Sequence, residues 1–340
     1  MRLRVVSRVA SLVLALFAGV ANSAPLQVGV GIHVGQNKNA LDATTAALEQ
    51  GGFTSFRDEV FWHRLERKKG VLEFPDSLKD LDQLVTRSAA RGVRPLLILD
   101  YGNPFYDGGG QLSSAEAIAA WSRYVRFVVK HFKGRVDQFE VWNEWNIGSG
   151  GTPAQRAGRY GSADDYAKVL KAAYSAVKAE NPGASVIGGA FAGYDYQWIE
   201  AFGRAGGFTA LDGFSTHPYV FAEGKKGTPD SAVHHLDELK KLIDRLAPGR
   251  NVRVYVTEAG WPVHTGANGV TAQQQADYLQ QFMLLAKSRP WIAGVWWYDL
   301  FDDGDDASDK EHRFGLIDRA GGKRPAFQAL AGMRARLAAP

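Results

Sequence analysis

Eight short apolar runs separated by helix-like stretches constrain this chain more than any other feature. The runs are Leu26–Ile32, Thr54–Arg57, Arg94–Asp100, Val136–Trp142, Ala184–Gly188, Leu211–Thr216, Val252–Thr257 and Ile292–Tyr298. Several are apolar at nearly every position, as strands are when both faces are buried. Between them lie amphipathic stripes. Leu78, Leu81 and Val85 share one face ahead of Gly92. Ser113-Ser114-Ala115-Glu116 reads as a capping box before Trp121, Tyr124 and Val128. Tyr166, Leu170, Ala173 and Val177 lead to the stop Asn181-Pro182-Gly183, and Leu236, Leu239, Ile243 and Leu246 lead to Pro248-Gly249. Thr271-Ala272-Gln273-Gln274 is a second capping box, and Pro325 suits the first turn of a last helix.

Strands alternating with helices call for parallel βαβ units. Eight such units predict one α/β domain over residues 25–340, a (β/α)8 TIM barrel. A doubly wound open sheet is the rival. Against it, no Gly-x-Gly-x-x-Gly turn follows the first strand, because Gly29-Val30-Gly31 lies inside the run.

The first 24 residues stand apart. Arg2, Arg4 and Arg8 precede an apolar stretch from Val9 to Val20, then the small residues Ala21 to Ala24. This order reads as a secretory signal peptide, and the stretch is too short to span a bilayer. The chain is therefore expected in the periplasm or outside the cell, without stable membrane insertion. It has no Cys, so its stability must come from its core. Without the three leader arginines, the 40 Lys+Arg and 36 Asp+Glu are nearly balanced. Nothing in that balance calls for a nucleic acid partner.

In a barrel, reacting groups sit at the carboxyl ends of the strands. Those ends carry His33, Arg57, Asp100-Tyr101, Asn143-Glu144, Gly188-Gly189-Ala190, His217-Pro218-Tyr219, Glu258 and Trp296-Trp297-Tyr298-Asp299. Glu144 and Glu258 carry the most weight. A carboxylate at the mouth of a buried strand gives up solvation, and two of them supply the acid and base that cut a glycosidic bond. Each of the others also has a structural reading: Arg57 as an ion pair, His217 as a turn residue before Pro218, Trp297 as a barrel plug. His33 is expected to be structural. Trp62, Phe105 and Tyr106 are candidates for a cleft wall. The run Asp302-Asp303-Gly304-Asp305-Asp306 lacks the twelve-residue calcium pattern and reads as a solvated acidic loop. Neither a metal nor a cofactor is expected.

These residues carry a resemblance. Val141-Trp142-Asn143-Glu144-Trp145-Asn146 resembles the fourth-strand Asn-Glu signature of the clan A glycoside hydrolases. Thr257-Glu258-Ala259-Gly260-Trp261 is similar to their seventh-strand nucleophile segment. Phe314-Gly315-Leu316-Ile317-Asp318 and Lys323-Arg324-Pro325-Ala326-Phe327 resemble the clan's last barrel segment, so the likeness covers nearly all of the chain after the leader. Phe56-Arg57-Asp58-Glu59-Val60-Phe61-Trp62 and Gly70-Val71-Leu72-Glu73-Phe74 look most like family 39.

The resemblance implies a (β/α)8 barrel and retaining hydrolysis by double displacement. Glu144 would be the acid/base and Glu258 the nucleophile. Arg57 would hold Glu258 ionised and Tyr219 would hydrogen-bond it. Asn143 would contact the sugar 2-hydroxyl, Trp297 would floor the sugar subsite, and His217 joins them as a substrate-binding candidate. Retention places the two carboxyl groups about 5–5.5 Å apart, whereas inversion needs roughly 6.5–9.5 Å. The expectation is a monomeric, exported β-glycosidase, endo-acting on a β-linked polysaccharide or exopolysaccharide. An exo-acting β-xylosidase or β-glucosidase is the alternative; no β-sandwich segment follows the eighth helix, which weakens the β-xylosidase reading. An inactive carbohydrate-binding barrel is a further alternative, and intact Glu144 and Glu258 argue against it. A metal-dependent barrel hydrolase wants clustered His and Asp ligands; the chain offers only Ile32-His33-Val34 and a helical His234-His235 pair.

Overall fold

In a computed structural model describing residues 25–36, 38–158 and 161–339, every expected run contributes a strand. They are β1 (Gln27–Val30), β2 (Ser55–Phe61), β3 (Arg94–Asp100), β4 (Gln138–Val141), β5 (Ser185–Ala192), β6 (Gly213–His217), β7 (Arg253–Ala259) and β8 (Ile292–Trp297). All pair in parallel in the order β1-β8-β7-β6-β5-β4-β3-β2. β1 then meets β2: Gly31 bridges Arg57, Thr54 N donates to Val28 O at 2.8 Å, and Ile32 N donates to Arg57 O at 2.9 Å. An open doubly wound sheet would leave both edges free. This sheet curls round onto itself, giving one (β/α)8 TIM barrel. The expected leader, residues 1–24, lies outside the described residues. Among the described residues no helix is long and apolar enough to cross a membrane.

Eight main helices wrap the strands: α1 (Leu41–Gly51), α2 (Lys79–Ala89), α3 (Ala115–Phe132), α4 (Ala163–Glu180), α5 (Tyr196–Arg204), α6 (Pro229–Leu246), α7 (Ala272–Lys287) and α8 (Pro325–Ala338). The Thr271 box forms as expected, with Gln274 N donating to Thr271 Oγ1 at 3.1 Å and Thr271 N to Gln274 Oε1 at 2.8 Å. The box expected at residues 113–116 is displaced by one. Ser114 caps α3 by accepting from Ala117 N, while Ser113 N donates to Asp107. The stripes read from sequence do not include α1 and α5. α1 starts without any side-chain cap, and α5 is only nine residues long.

Side chains alternate across each strand, and the two faces meet different surroundings. Leu96, Ile187 and Trp296 meet inside the barrel with Tyr255 beside them. The Trp296 indole donates to Ser55 Oγ at 2.9 Å. Gly29 makes room for it: a Cβ there would sit 2.2 Å from the indole. The opposite strand faces, including Phe56, Leu97, Phe139, Val186 and Trp297, join the helices in the main core. Each such large apolar side chain stabilises the fold by roughly 1.5–3 kcal/mol. Towards the carboxyl ends the inward positions turn polar. Ser55 is followed on the same face by Arg57 and Glu59, Leu96 by Ile98 and Asp100, and Gln138 by Glu140. A packed plug thus gives way to a floor of charged groups.

The run Asp302–Asp306 is not simply solvated. Asp302 is buried and holds Arg324 bidentately, with 2.7 Å from Nη1 to Oδ1, and accepts from Gly315 N at 2.9 Å. Arg313 lies 3.3 Å from the same carboxylate. The end of β8 is thereby tied to the start of α8. Burial of the ion pair makes its rupture costly, because the arginine left behind has lost both water and counter-charge. Asp302→Ala is therefore expected to destabilise the fold by about 3–5 kcal/mol, read as a fall in the denaturant midpoint. A change below about 1 kcal/mol, the level of an exposed pair, would contradict this reading of the loop.

Candidate active site

The chain is strained where it delivers Glu144 to the barrel mouth. Trp142 and Glu144 take φ of +66° and +46°, and Ala190 across the strand gap takes +39°. Left-handed backbone at such residues costs of order 1–3 kcal/mol each. Fixed neighbours hold it in place. Trp142 N donates to Leu99 O, Glu144 N donates to Ala190 O, and Ser149 N donates to Glu144 O. The Trp142 indole donates to Ser149 O at 2.9 Å and packs against Trp121 and Trp145.

Glu258 arrives from β7, on the far side of the mouth. Arg57 Nη1 donates to its Oε1 at 2.7 Å and the Tyr219 hydroxyl to its Oε2 at 2.9 Å. Arg57 Nη2 donates to Asn143 Oδ1 at 2.8 Å, and Asn143 Nδ2 donates to the Tyr101 hydroxyl at 3.0 Å. One guanidinium therefore sets the positions of Glu258 and Asn143 together. Burial works against the Arg57 charge, but Glu140 and Glu258 more than offset it and raise its pKa above the ordinary arginine value. Burial, helped by the Glu258 charge, pushes the Tyr219 hydroxyl well above its usual range, so it stays a neutral donor.

His217 stands between the two glutamates. Its Nδ1 is 2.9 Å from Glu144 Oε1 and 3.6 Å from Glu258 Oε2. One His217 nitrogen and one oxygen from each glutamate all lie within 4.8 Å of one another. Burial opposes the imidazolium, but Glu258 and then Glu144 outweigh it and raise the His217 pKa above 6.5. Arg57, Asn143, Glu144, His217, Tyr219 and Glu258, read from different strand ends, are thus brought into one cluster.

Trp297 is not part of it. It is fully buried on the outward face of β8 against Trp261, with ring centroids 5.9 Å apart. The neighbouring position faces inward, so Tyr298 lines the cavity where Trp297 was expected. The early aromatics also differ from expectation. Trp62 is buried, stacks on Tyr106 at 5.1 Å and donates to Glu66, so both belong to the core; Phe105 is exposed away from the cavity.

The glutamates open into a cavity of about 470 Å³. One wall is polar, with His33, Gln36, Lys38 and Glu59. The other is aromatic: Tyr219 stacks on Phe221 at 4.9 Å, Tyr298 meets Phe314 edge-on at 5.3 Å, and Lys310 Nζ lies 4.4 Å over the Phe221 ring. His33 had been expected to be structural, yet it forms part of the polar wall. Three carboxylates surround it: Glu59 at 3.7 Å, Asp299 at 3.6 Å and Asp303 at 3.5 Å. Burial disfavours its charge, but Asp299 and Glu59 prevail and lift its pKa well above 6.5. Burial likewise pushes Asp299 up to about 7. Glu59 resists burial through its bonds to His33 and Gln36 and falls to about 2. His33, Asp299 and Asp303 each offer one ligand atom, all within 4.8 Å of one another. No sequence feature singled out Glu59 or Gln36 for the site, and Tyr298 stood only among the strand-end residues. Strand parity signals two of them, since Glu59 continues the Ser55–Arg57 face and Tyr298 the Trp296 face.

No protein-family model matches the chain, and no curated protein matches its sequence. Solved structures do. A family 39 glycoside hydrolase from the gut symbiont Bacteroides cellulosilyticus WH2 is 28% identical, with a TM-score of 0.74, over 93% of this chain and 64% of that one. The chain thus spans less than two thirds of that protein's length. A monomeric β-xylosidase from Caulobacter crescentus CB15 is 19% identical, with a TM-score of 0.66, over 92% of this chain and 69% of that one. The native xylanase 10B from Thermotoga maritima is 15% identical, with a TM-score of 0.64, over 92% of this chain and 95% of that one. These neighbours are clan A glycoside hydrolases, and the chain has their barrel fold.

Proposed function

We propose that this chain is a retaining β-glycosidase in which Glu258 attacks the anomeric carbon and Glu144 is the acid/base. The observation that carries the reading is the contact of both carboxylates with one His217 nitrogen, at 2.9 and 3.6 Å. Inversion needs carboxyl groups roughly 6.5–9.5 Å apart, with a water between them and the sugar, and retention about 5–5.5 Å. Oxygens within 4.8 Å of each other support the shorter arrangement. The 28% identical family 39 glycoside hydrolase supports the same reading.

The steps follow from the placed groups. Glu144 gives its proton to the glycosidic oxygen as that bond breaks. Glu258, aimed by Arg57 and Tyr219, bonds to the anomeric carbon and loses its charge. Glu144, now a carboxylate, takes a proton from water, and the hydroxide oxygen releases the sugar from Glu258. Two inversions at one carbon restore the β configuration. Asn143, fixed by Arg57, is suited to the sugar 2-hydroxyl, as the clan resemblance implies.

Endo-action on a β-linked polysaccharide is the finer part of the proposal. The aromatic wall and the rim residue Ile147, which is 46% exposed, support it, because sugar rings beyond the cleaved bond can stack there. Export rests on the leader, and a monomer is expected. A screen of the purified protein on β-linked polysaccharides and aryl β-glycosides, with product sizes measured, tests substrate and mode. Medium-sized fragments at early times support endo-action, and single sugars alone would overturn it. Proton NMR during hydrolysis tests the stereochemistry. The β anomer is expected first, and the α anomer first would exclude retention.

A further inference from the structure

Beneath the two catalytic glutamates lies a third carboxylate that no step above uses. Glu140 is fully buried on the inward face of β4. A buried carboxylate is costly unless it is paired and hydrogen-bonded, and this one is bonded through both oxygens. Arg57 Nε donates to Oε2 at 2.6 Å, and the Thr257 hydroxyl reaches Oε1 at 2.7 Å. Thr257 Oγ1 is in turn 3.1 Å from His217 Nε2, and His217 Nδ1 is 2.9 Å from Glu144. On its other side, Arg57 holds Glu258 and Asn143.

Counting protons along this chain fixes its direction. Thr257 has one hydroxyl hydrogen. Glu140, as the ion-pair partner of Arg57, accepts it. Thr257 can then only accept from His217, so Nε2 must carry a hydrogen. That leaves Nδ1 as the single ring position whose proton comes and goes opposite Glu144. We propose that Glu140 is a positioning residue for both halves of the reaction: through Arg57 it aims the nucleophile, and through Thr257 and His217 it fixes the ring that faces the acid/base. This rests on the glycosidase reading and adds to it the device that keeps the two glutamates in step.

The test uses Thr257, because Glu140→Gln removes a buried ion pair and the protein can fail to fold. Thr257→Val keeps the shape and deletes the link; Thr257→Ser keeps the link. pH–rate profiles are measured for each on an unactivated oligosaccharide and on an activated aryl glycoside. Thr257→Val should lower kcat on the oligosaccharide roughly 10- to 100-fold, part of the 10²–10⁴ that acid–base catalysis supplies. It should also displace the limb of the profile that reports the acid, with a smaller loss on the aryl glycoside. Thr257→Ser should recover most of both. An unmoved limb with equal losses on both substrates, or a serine variant no better than valine, overturns the proposal. Nitrogen NMR of His217 reads the relay without turnover. Nε2 should be protonated in the wild type and lose that preference in Thr257→Val; a wild-type ring protonated at Nδ1 alone overturns the relay. If the wild type cleaves no glycoside while the NMR result holds, it is the glycosidase reading that fails.

Discussion

Glu258→Gln is expected to abolish turnover almost completely, by at least about 1,000-fold, or roughly 4 kcal/mol of barrier at 1.36 kcal/mol per factor of ten. The amide has nearly the same shape: its carbonyl oxygen can still accept from Arg57, which reaches Glu258 Oε1 at 2.7 Å, while its NH2 meets the Tyr219 hydroxyl, now 2.9 Å from Oε2, as a donor. What it lacks is the negative charge and the ability to form a glycosyl ester. Activated aryl glycosides should be lost along with natural substrates, because a better leaving group does not replace a missing nucleophile. Circular dichroism should be unchanged, since Arg57 keeps Glu140 at 2.6 Å. A folded variant within tenfold of wild type would reject the nucleophile role.

Glu144→Ala should behave differently, and the difference identifies the acid. Loss of proton donation should lower kcat/KM on natural substrates by about 10²–10⁴. An aryl leaving group that departs as a stable anion needs no proton, so the first step on such a substrate should stay within about tenfold of wild type. The second step still lacks its base. The glycosyl-enzyme should therefore accumulate, giving a burst of aryl alcohol followed by slow release. Equal losses on both substrates, without a burst, would count against Glu144 as the acid.

The parts of this molecule legible in its sequence are those that local pattern determines. A seven-residue apolar run such as Arg94–Asp100 is short for a helix and suits a buried strand, and the residues that follow such runs lie at one end of the barrel. That alone places Arg57, Asn143, Glu144, His217, Tyr219 and Glu258 together. Parity was harder. In Trp296-Trp297-Tyr298 all three residues are aromatic, and composition cannot say which faces inward. The pairing of Gly29 with Trp296 settles it, because a side chain at Gly29 would collide with that indole. Glu140 was hidden for a related reason. It sits inside the strand run Val136–Trp142 beside Asp137 and Gln138, with nothing local to single it out, and its partners Arg57 and Thr257 are 83 and 117 residues away. Such a contact follows from strand register across the barrel, which no local window contains. His33 looked structural because the acidic residues around it come from β2 and from the loop after β8, and Asp302 looked solvated because its partner Arg324 lies 22 residues downstream.

The claim on which the account depends is a covalent bond between Glu258 and a sugar. Its most direct test is to treat the protein with a 2-fluoro activated analogue of whichever aryl β-glycoside it hydrolyses, then measure intact mass and map the labelled peptide. One added glycosyl group on the peptide carrying Glu258, absent in Glu258→Gln, is the predicted result. An active enzyme that gains no mass, or carries the label on any other residue, would contradict it.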